Sequence, residues 1–377
     1  MEMWLAITLI TCIIATLLLK VYVSLKNKNS LKNSLPPGPR SIPIISSIKW
    51  LRKSTIEVEA SLKALHPKFG PIITLSAASR PFIFISTPPL VYEALIQKGI
   101  TFASRPNALL TAKILTNNQL NISLANYGSN WRIFRRNLIS NIVNPSLFEL
   151  EITDEDHTKR KLNEEELVTL CSEFLTAGAD TTSTALQWIM ANLVKYPTIQ
   201  DTLYQAIKEV IGTEAKEVKE EDMSKIAYLK AVILEGLRRH PPSHFSLPHA
   251  VSEEVTLGGY NVPKNAIIFF TLTEMCHDPK VWEDPMEFKP ERFMENEKDI
   301  DITGSREIKM MPFGVGRRIC PAFRLAILHL EYFVANLVWK FEWITPNGYQ
   351  VDLSEKQEFT VVMKHPLHAY LRHRQIN

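Results

Sequence analysis

Cys320 stands in the run Phe313-Gly314-Val315-Gly316-Arg317-Arg318-Ile319-Cys320-Pro321-Ala322, directly before an apolar stretch of helical spacing. Two glycines let a loop turn sharply and bring its backbone against a flat ligand, which residues carrying a Cβ resist. A cysteine where a helix begins sits at the positive end of the helix dipole, which favours thiolate over thiol. A thiolate is a soft metal ligand, so this loop has the parts to hold a metal carried by a flat group. Taken by itself, the cysteine could equally be a buried apolar residue.

A second group lies inside a helical stretch: Ala177-Gly178-Ala179-Asp180-Thr181-Thr182-Ser183-Thr184. Glycine and hydroxyl residues cost a helix interior up to ~1 kcal/mol each relative to alanine. Threonine hydroxyls can take over backbone carbonyls and bend the helix, and Gly178 leaves room for something bulky against its face. Asp180 beside Thr181 pairs a titratable carboxyl with a relay hydroxyl, the two parts of a proton-delivery path. Read alone, the stretch is a kink in a protein core. Glu235 and Arg238 lie three apart and share a helix face, and Pro290-Glu291-Arg292-Phe293 brings a second guanidinium shortly before the cysteine loop. Trp131 and Arg135, four apart, form a donor pair suited to a carboxylate, or belong to an amphipathic helix with a basic solvent face.

Together these motifs resemble those of the cytochrome P450 family. The loop matches Phe-x-x-Gly-x-Arg-x-Cys-x-Gly at Phe313, Gly316, Arg318 and Cys320, with Ala322 where the family usually has glycine. The helical segment is similar to Ala/Gly-Gly-x-Asp/Glu-Thr-Thr/Ser, and Glu235 with Arg238 to Glu-x-x-Arg. The resemblance implies that Cys320 is the axial ligand of a haem iron, with Phe313, Gly316 and Gly178 against the haem. It implies that Trp131, Arg135 and Arg318, with His249 of Leu247-Pro248-His249, face the haem propionates. It gives Thr181 the hydrogen bond to dioxygen, Asp180 the supply of protons, and Glu235, Arg238 and Arg292 a buried, structural ion cluster. The implied protein is a monooxygenase that takes electrons from an NADPH-dependent reductase and inserts one atom of dioxygen into a small apolar substrate. Ser172-Glu173-Phe174-Leu175 and Gln187-Trp188-Ile189-Met190-Ala191-Asn192 narrow the likeness to plant microsomal members, in particular the families numbered seventy-seven and eighty-nine. Lys309, Arg132, Arg136, Arg317, Arg318 and Arg324 would give the cysteine side a basic face able to steer an acidic flavoprotein.

The elements that must position these residues are mostly helical. Ile72 to Leu75 and Phe82 to Ile85 read as two strands joined by a small polar turn. The spacing predicts helices from Pro88 to about Lys98, from Trp131 to Ile142, from Asn163 to Lys195 with Glu166 completing a capping box, from Thr198 to Gly212 and from Lys225 to His240. Val255 to Phe270 reads as β structure turning at Gly258-Gly259, and a last helix from Pro321 leads into a terminal β region. The expected fold is mainly α with small β-sheets.

The 377 residues suffice for one large domain, and a net charge of +3 points to no nucleic acid. Cys12, Cys171, Cys276 and Cys320 lie far apart, against a disulfide framework or a zinc site. Met3 to Leu19 is apolar, Val21-Tyr22-Val23 extends the run to the ~20 residues needed to cross a bilayer, and Lys26, Lys28 and Lys32 follow. By the positive-inside rule the remainder is cytoplasmic, which reads as a single-pass signal anchor rather than a cleaved signal peptide, and the resemblance implies the endoplasmic reticulum membrane. The expected organisation is an anchor over residues 1–25, a basic, proline-rich hinge over 26–40, and a haem-binding domain over 41–377. Membrane-bound relatives place several helices between the helix of Trp131 and that of Asp180, including the roof of the substrate pocket. Here only a short mixed-charge stretch intervenes, so an internal deletion is expected near 144–150, leaving an open pocket. Two rival readings remain: a truncated, catalytically impaired haem-binding or non-functional product, and a haem-thiolate isomerase or lyase acting on hydroperoxides.

Overall fold

The computed structural model describes residues 35–40, 48–50, 52–77, 80–139, 164–294 and 301–374, together with Thr11 and Ala15. Helix α1 (Thr55–Phe69) opens on a capping box: Ser54 Oγ accepts the Glu57 N–H, and the Glu57 carboxylate accepts the Ser54 N–H at 2.7 Å. Strands β1 (Ile72–Ala77) and β2 (Arg80–Ile85) follow as a hairpin, in antiparallel register with Ile73 opposite Phe84. Residues 35–40, at the end of the expected hinge, lie against β1. Pro36 is buried, Pro37 O accepts the Thr74 N–H at 2.8 Å, and a Cβ on Gly38 would strike the Thr74 carbonyl.

Helix α2 (Pro88–Tyr92) runs on into a π-type turn over Glu93–Gln97, so the predicted helix is present with its second half underwound. A short helix α3 (Leu110–Leu115) precedes α4 (Ser129–Asn137), which carries Trp131 and Arg135. Helix α5 (Glu164–Lys195) then runs without a break through Gly178. The hydroxyl run therefore does not interrupt it. Thr181 Oγ1 donates to Ala177 O at 2.6 Å, returning a threonine hydroxyl to the preceding turn instead of opening the helix. Asn163 of the predicted cap and the predicted end of the Trp131 helix at Ile142 lie outside the described residues.

Helices α6 (Pro197–Ile211) and α7 (Ala227–Arg239), with α8 (Phe323–Lys340), enclose the principal core with the second half of α5. Ile189 and Leu193, Leu203 and Ile207, Val232 and Ile233, and Val334 and Val338 are all without exposed surface there. Gly236 is required at the α5–α7 crossing, because a Cβ would fall 2.3 Å from Ile189 Cγ1. Strands β3 (His249–Ala250) and β6 (Ile267–Phe270) complete the first sheet in the order β1-β2-β6-β3, with β2 and β6 parallel. Between them β4 (Val255–Leu257) and β5 (Tyr260–Val262) form the hairpin turning at Gly258-Gly259. After α8 come β7 (Phe341–Ile344), the short hairpin β8 (Glu355–Gln357) and β9 (Val361–Met363), and β10 (Tyr370–His373), which pairs with β7.

The mainly α architecture with small sheets is as expected. Among the described residues no helix is long and apolar enough to cross a membrane. The apolar run Met3 to Leu19 lies outside those residues apart from Thr11 and Ala15, as does the expected junction at 144–150.

Candidate functional site

The cysteine loop is folded by its own backbone. Gly314 and Gly316 adopt φ of 68° and 71°, and the Cys320 N–H returns to Phe313 O at 2.8 Å. Gly316 is needed for contact within the protein: a Cβ would lie 2.4 Å from the Leu95 carbonyl in the π-type turn. Its Cβ-free approach is therefore to the fold, whereas the Cβ position of Gly314 faces open space, with no atom nearer than Arg318 O at 4.0 Å. Phe313 packs beside the α5–α8 core. Helix α8 begins at Phe323, three residues beyond Cys320, and its dipole does not make the free group a thiolate. Burial raises the Cys320 thiol above its ordinary value, outweighing the Ala322 N–H and the Arg135 guanidinium, which pull it down. Ionisation is left to a bound metal, which deprotonates a coordinating thiol.

Beside the loop, three guanidiniums converge with no carboxylate paired to them among the described residues. Arg318 donates from Nε to Ala103 O (2.7 Å), from Nη1 to Ile122 O (3.1 Å) and from Nη2 to Ala125 O (2.5 Å). Arg135 Nη2 donates to Ile319 O at 2.7 Å. Both guanidiniums lie over the Trp131 ring, Arg318 at 4.5 Å and Arg135 at 5.3 Å from its centroid, a cation–π arrangement. The Trp131 N–H, expected to await a carboxylate, is donated to Ile122 O at 3.0 Å. His249 is buried, and its Nδ1–H donates to Phe102 O at 2.7 Å. Burial and the Arg105 charge, and beyond them Arg318, hold its pKa well below the ordinary value despite the Phe102 carbonyl. With Nδ1–H donated to Phe102 O, His249 braces the loop around Phe102, and Nε2 is its other ring nitrogen for any further partner.

The third guanidinium, Arg105, is not apparent from the sequence, where it is a lone arginine before Pro106. It is buried, donating to Ser123 O (2.8 Å), Leu247 O (3.0 Å) and Pro248 O (2.9 Å). Burial lowers Arg105 to about 10. Burial and then the charges of Arg105 and Arg135 lower Arg318 to about 9. Both remain cations at neutral pH, crowded by one another. Glu173 on α5 supports the same loop from the other side, accepting the N–H groups of Ile122 (2.9 Å) and Ser123 (2.6 Å). Sequence showed Glu173 only as part of a family-like run.

Glu235, Arg238 and Arg292 come together as one buried cluster. Arg238 forks onto Glu235 (Nε–Oε2 2.7 Å, Nη2–Oε1 2.8 Å), and Arg292 Nε reaches Oε1 at 3.3 Å. Remaining donors are used on carbonyls: Arg238 Nη1 on Cys276 O and Pro285 O, and Arg292 Nη1 on Glu283 O, each at 2.8 Å. Neither Glu235 nor Arg238 has exposed surface, so the pair depends on this saturation of its hydrogen bonds. Asp180 and Gly178 lie on an exposed face of α5, and nothing stands within 4 Å of a Cβ built on Gly178. Thr181 is half-buried.

The donor set fits haem. A sulfur ligand beside an open Gly314 suits a metal in a flat ring, and uncompensated guanidiniums suit its carboxylates. Among the described residues no other cluster of His, Cys, Asp or Glu could hold a metal ion.

The family model for cytochrome P450 matches residues 36–153 and 146–372, in two pieces that overlap at 146–153. Cytochrome P450 89A9 of Arabidopsis thaliana is 37% identical over 501 aligned positions, covering 96% of this chain and 98% of the relative. Against 377 residues, that alignment leaves more than a hundred positions of the relative without a counterpart. Cytochrome P450 98A8 of the same plant is 39% identical over 212 residues, 56% of this chain and 42% of the relative; cytochrome P450 98A1 of Sorghum bicolor is 38% identical over 216 residues, 56% and 41%. This chain thus spans about two fifths of the length of those two. A solved zebra fish cytochrome P450 with abiraterone has a TM-score of 0.73 at 21% identity, over 84% of this chain and 100% of that one, which shows a common fold. Motifs, fold and relatives agree: the chain belongs to the cytochrome P450 family, whose members bind haem iron.

Proposed function

We propose that the chain is a haem-thiolate monooxygenase acting on a small apolar substrate. The observation that carries the reading is the Cys320 loop set beside three guanidiniums that have no carboxylate partner among the described residues. Haem bound through Cys320 supplies the oxygen chemistry, thiolate ligation favouring oxygen–oxygen cleavage. The Ala322 N–H is directed at the sulfur and would temper its charge. Arg135 and Arg318, braced by Trp131, with Arg105 behind them, would hold the propionates. Thr181 spends its proton on Ala177 O, so it must turn away from that carbonyl to hand a proton onward. Asp180, exposed on the next residue, is the group placed to resupply it.

Arg132, Arg136, Arg317 and Arg324 are exposed around the loop and would steer a reductase, whereas Arg318 is turned inward and takes no part in that face. The apolar run before Lys26, Lys28 and Lys32 supports a single-pass anchor in the endoplasmic reticulum membrane with the domain on the cytoplasmic side.

A second reading concerns turnover. Leu109, Leu110, Ile114 and Leu115 on and beside α3, and Val168 and Leu175 on α5, are exposed. With the two-piece family match, this supports an internal deletion near 144–150 and an impaired enzyme with an open substrate side. Reconstitution with a plant reductase, isotope-labelled dioxygen and a panel of apolar substrates tests both. Products carrying one labelled atom are expected of the monooxygenase. Haem binding without product would establish the impaired form, and conversion of a hydroperoxide with no reductase would establish an isomerase or lyase instead.

A further inference from the structure

A second buried set of charges lies outside that site and joins segments far apart in the chain. On α1, Glu59 Oε1 is 2.5 Å from Lys63 Nζ, and Oε2 pairs with His244 Nδ1. The other ring nitrogen of His244 is 3.0 Å from Glu355 Oε2, at the start of β8. Glu59 and His244 are buried, and Glu355 is half-buried. The remaining oxygen of Glu355 faces His240 Nδ1 at 3.9 Å, and the His240 ring stacks on Trp188 of α5 at 4.1 Å. Thr55 of α1 adds a hydrogen bond to the Gln357 side chain of the same hairpin.

The β8–β9 hairpin pairs only through Glu355–Met363, Lys356–Val362 and Gln357–Val361. A ladder that short has no independent stability, so its place depends on what fastens it. One fastening is to α5: Thr184 Oγ1 and Thr360 Oγ1 are 2.7 Å apart, and Trp188 Nε1 donates to Val361 O at 2.8 Å. Thr184 is three residues from Thr181 and shares its face of the helix. A second is the Val361 N–H on Pro242 O at 2.8 Å, and a third is the ionic clamp to α1.

We infer that His244 is a positioning residue: held between Glu59 and Glu355, it fixes the 355–363 hairpin against α5 and so steadies the helix turn that carries Asp180 and Thr181. Significance for proton delivery rests on the monooxygenase reading; the clamp itself does not. The groups facing His244 are Glu59 from α1 and Glu355 from the hairpin, with Lys63, His240 and Arg239 next to them. Burial would lower the His244 pKa, but Glu355 and Glu59 outweigh it and raise it to about 9. Burial, only partly offset by Glu355, lowers His240 to about 4, so its ring stands neutral beside the Glu355 oxygen that it faces.

Hydrogen exchange followed by mass spectrometry on the full chain tests the inference without any haem-dependent signal. His244→Ala and Glu355→Gln should each speed exchange in peptides covering residues 355–363 and 181–188 by roughly tenfold or more, leaving β1–β2 unchanged. In the unmodified chain the same peptides should lose protection as pH rises through about 9, after correction for the intrinsic rate, and His244→Ala should abolish that pH step. Unchanged protection in both variants, or loosening confined to the hairpin with none in 181–188, would overturn the positioning role. These outcomes are independent of a reduced carbon monoxide spectrum, whose failure would remove the monooxygenase reading and leave the clamp standing.

Discussion

The two sides of the candidate site are built to different standards. Around Cys320 the charged groups are held by groups of the fold: half-buried Arg318 uses three nitrogens on three carbonyls, and Glu235 holds Arg238 and Arg292 together. Across from it, the chain presents leucines to solvent. Leu109 and Leu115 keep 79% and 80% of their surface exposed, and Leu175 on α5 keeps 74%. The difference teaches which interactions close within the residues this chain has. The cysteine side draws its partners from 95–135, 235–293 and 313–320, all of which are present. Leu170 and Phe174 of α5 do pack on Ile122, Phe134 and Leu138, but Leu109, Leu110, Ile114 and Leu115 on and beside α3, and Val168 and Leu175 on α5, stay exposed.

The largest expected effect comes from covering that side. A chain carrying the interval that the Arabidopsis relative has in excess should unfold at a clearly higher temperature, since each covered leucine contributes about 1.5–3 kcal/mol before ordering costs. Equal thermal midpoints and solubility for the two forms would break the contrast. Next is the interior of the well-built side. Glu235→Ala leaves two guanidiniums buried and uncompensated, a cost of about 3–5 kcal/mol out of a net stability of ~5–15 kcal/mol. Chemical denaturation should show a markedly lower midpoint than in the parent; a midpoint near that of the parent would show that the cluster is not the anchor its geometry suggests.

The ionic clamp gives a pH window. His244 is raised to about 9 in the fold from an ordinary 6.5, so its contribution is complete below 6.5 and lost as pH rises through 9. Burial would raise Glu59, but His244 and Lys63 hold it down at about 2, so its contribution is complete above 4.5 and lost as pH falls through 2. Denaturation midpoints should therefore decline above pH 7, by on the order of 1–3 kcal/mol by pH 10, and His244→Ala should remove that decline. The smallest effect belongs to the uncovered side: Leu110→Ser should change stability by less than ~0.5 kcal/mol while improving solubility, and a large loss would mean that Leu110 is packed after all.

What was legible in the sequence was chemistry that travels in short motifs. Phe313 to Cys320, Ala177 to Thr184 and the Glu235–Arg238 pair could be read because neighbours in sequence are neighbours on a loop or a helix face. The strands at Ile72 to Leu75 and Phe82 to Ile85 were readable for the same reason, although each runs two residues further at the turn between them. Arg105 was not, because its partners Ser123, Leu247 and Pro248 are carbonyls set by tertiary structure. The Glu59–His244–Glu355 clamp spans three distant segments with no shared pattern. Burial also worked against a local expectation: it raised the Cys320 thiol against the helix dipole. Trp131 has the predicted place beside Arg135 but spends its N–H on Ile122, because that carbonyl lies within reach of both the indole and Arg318.

The most direct test of the claim that the cysteine side is complete is the carbon monoxide difference spectrum of the reduced, membrane-expressed protein. The account predicts a strongly red-shifted Soret band, the mark of thiolate-ligated haem, which disappears in Cys320→Ser. An unshifted band in the parent chain, or a red-shifted band that survives Cys320→Ser, would contradict it.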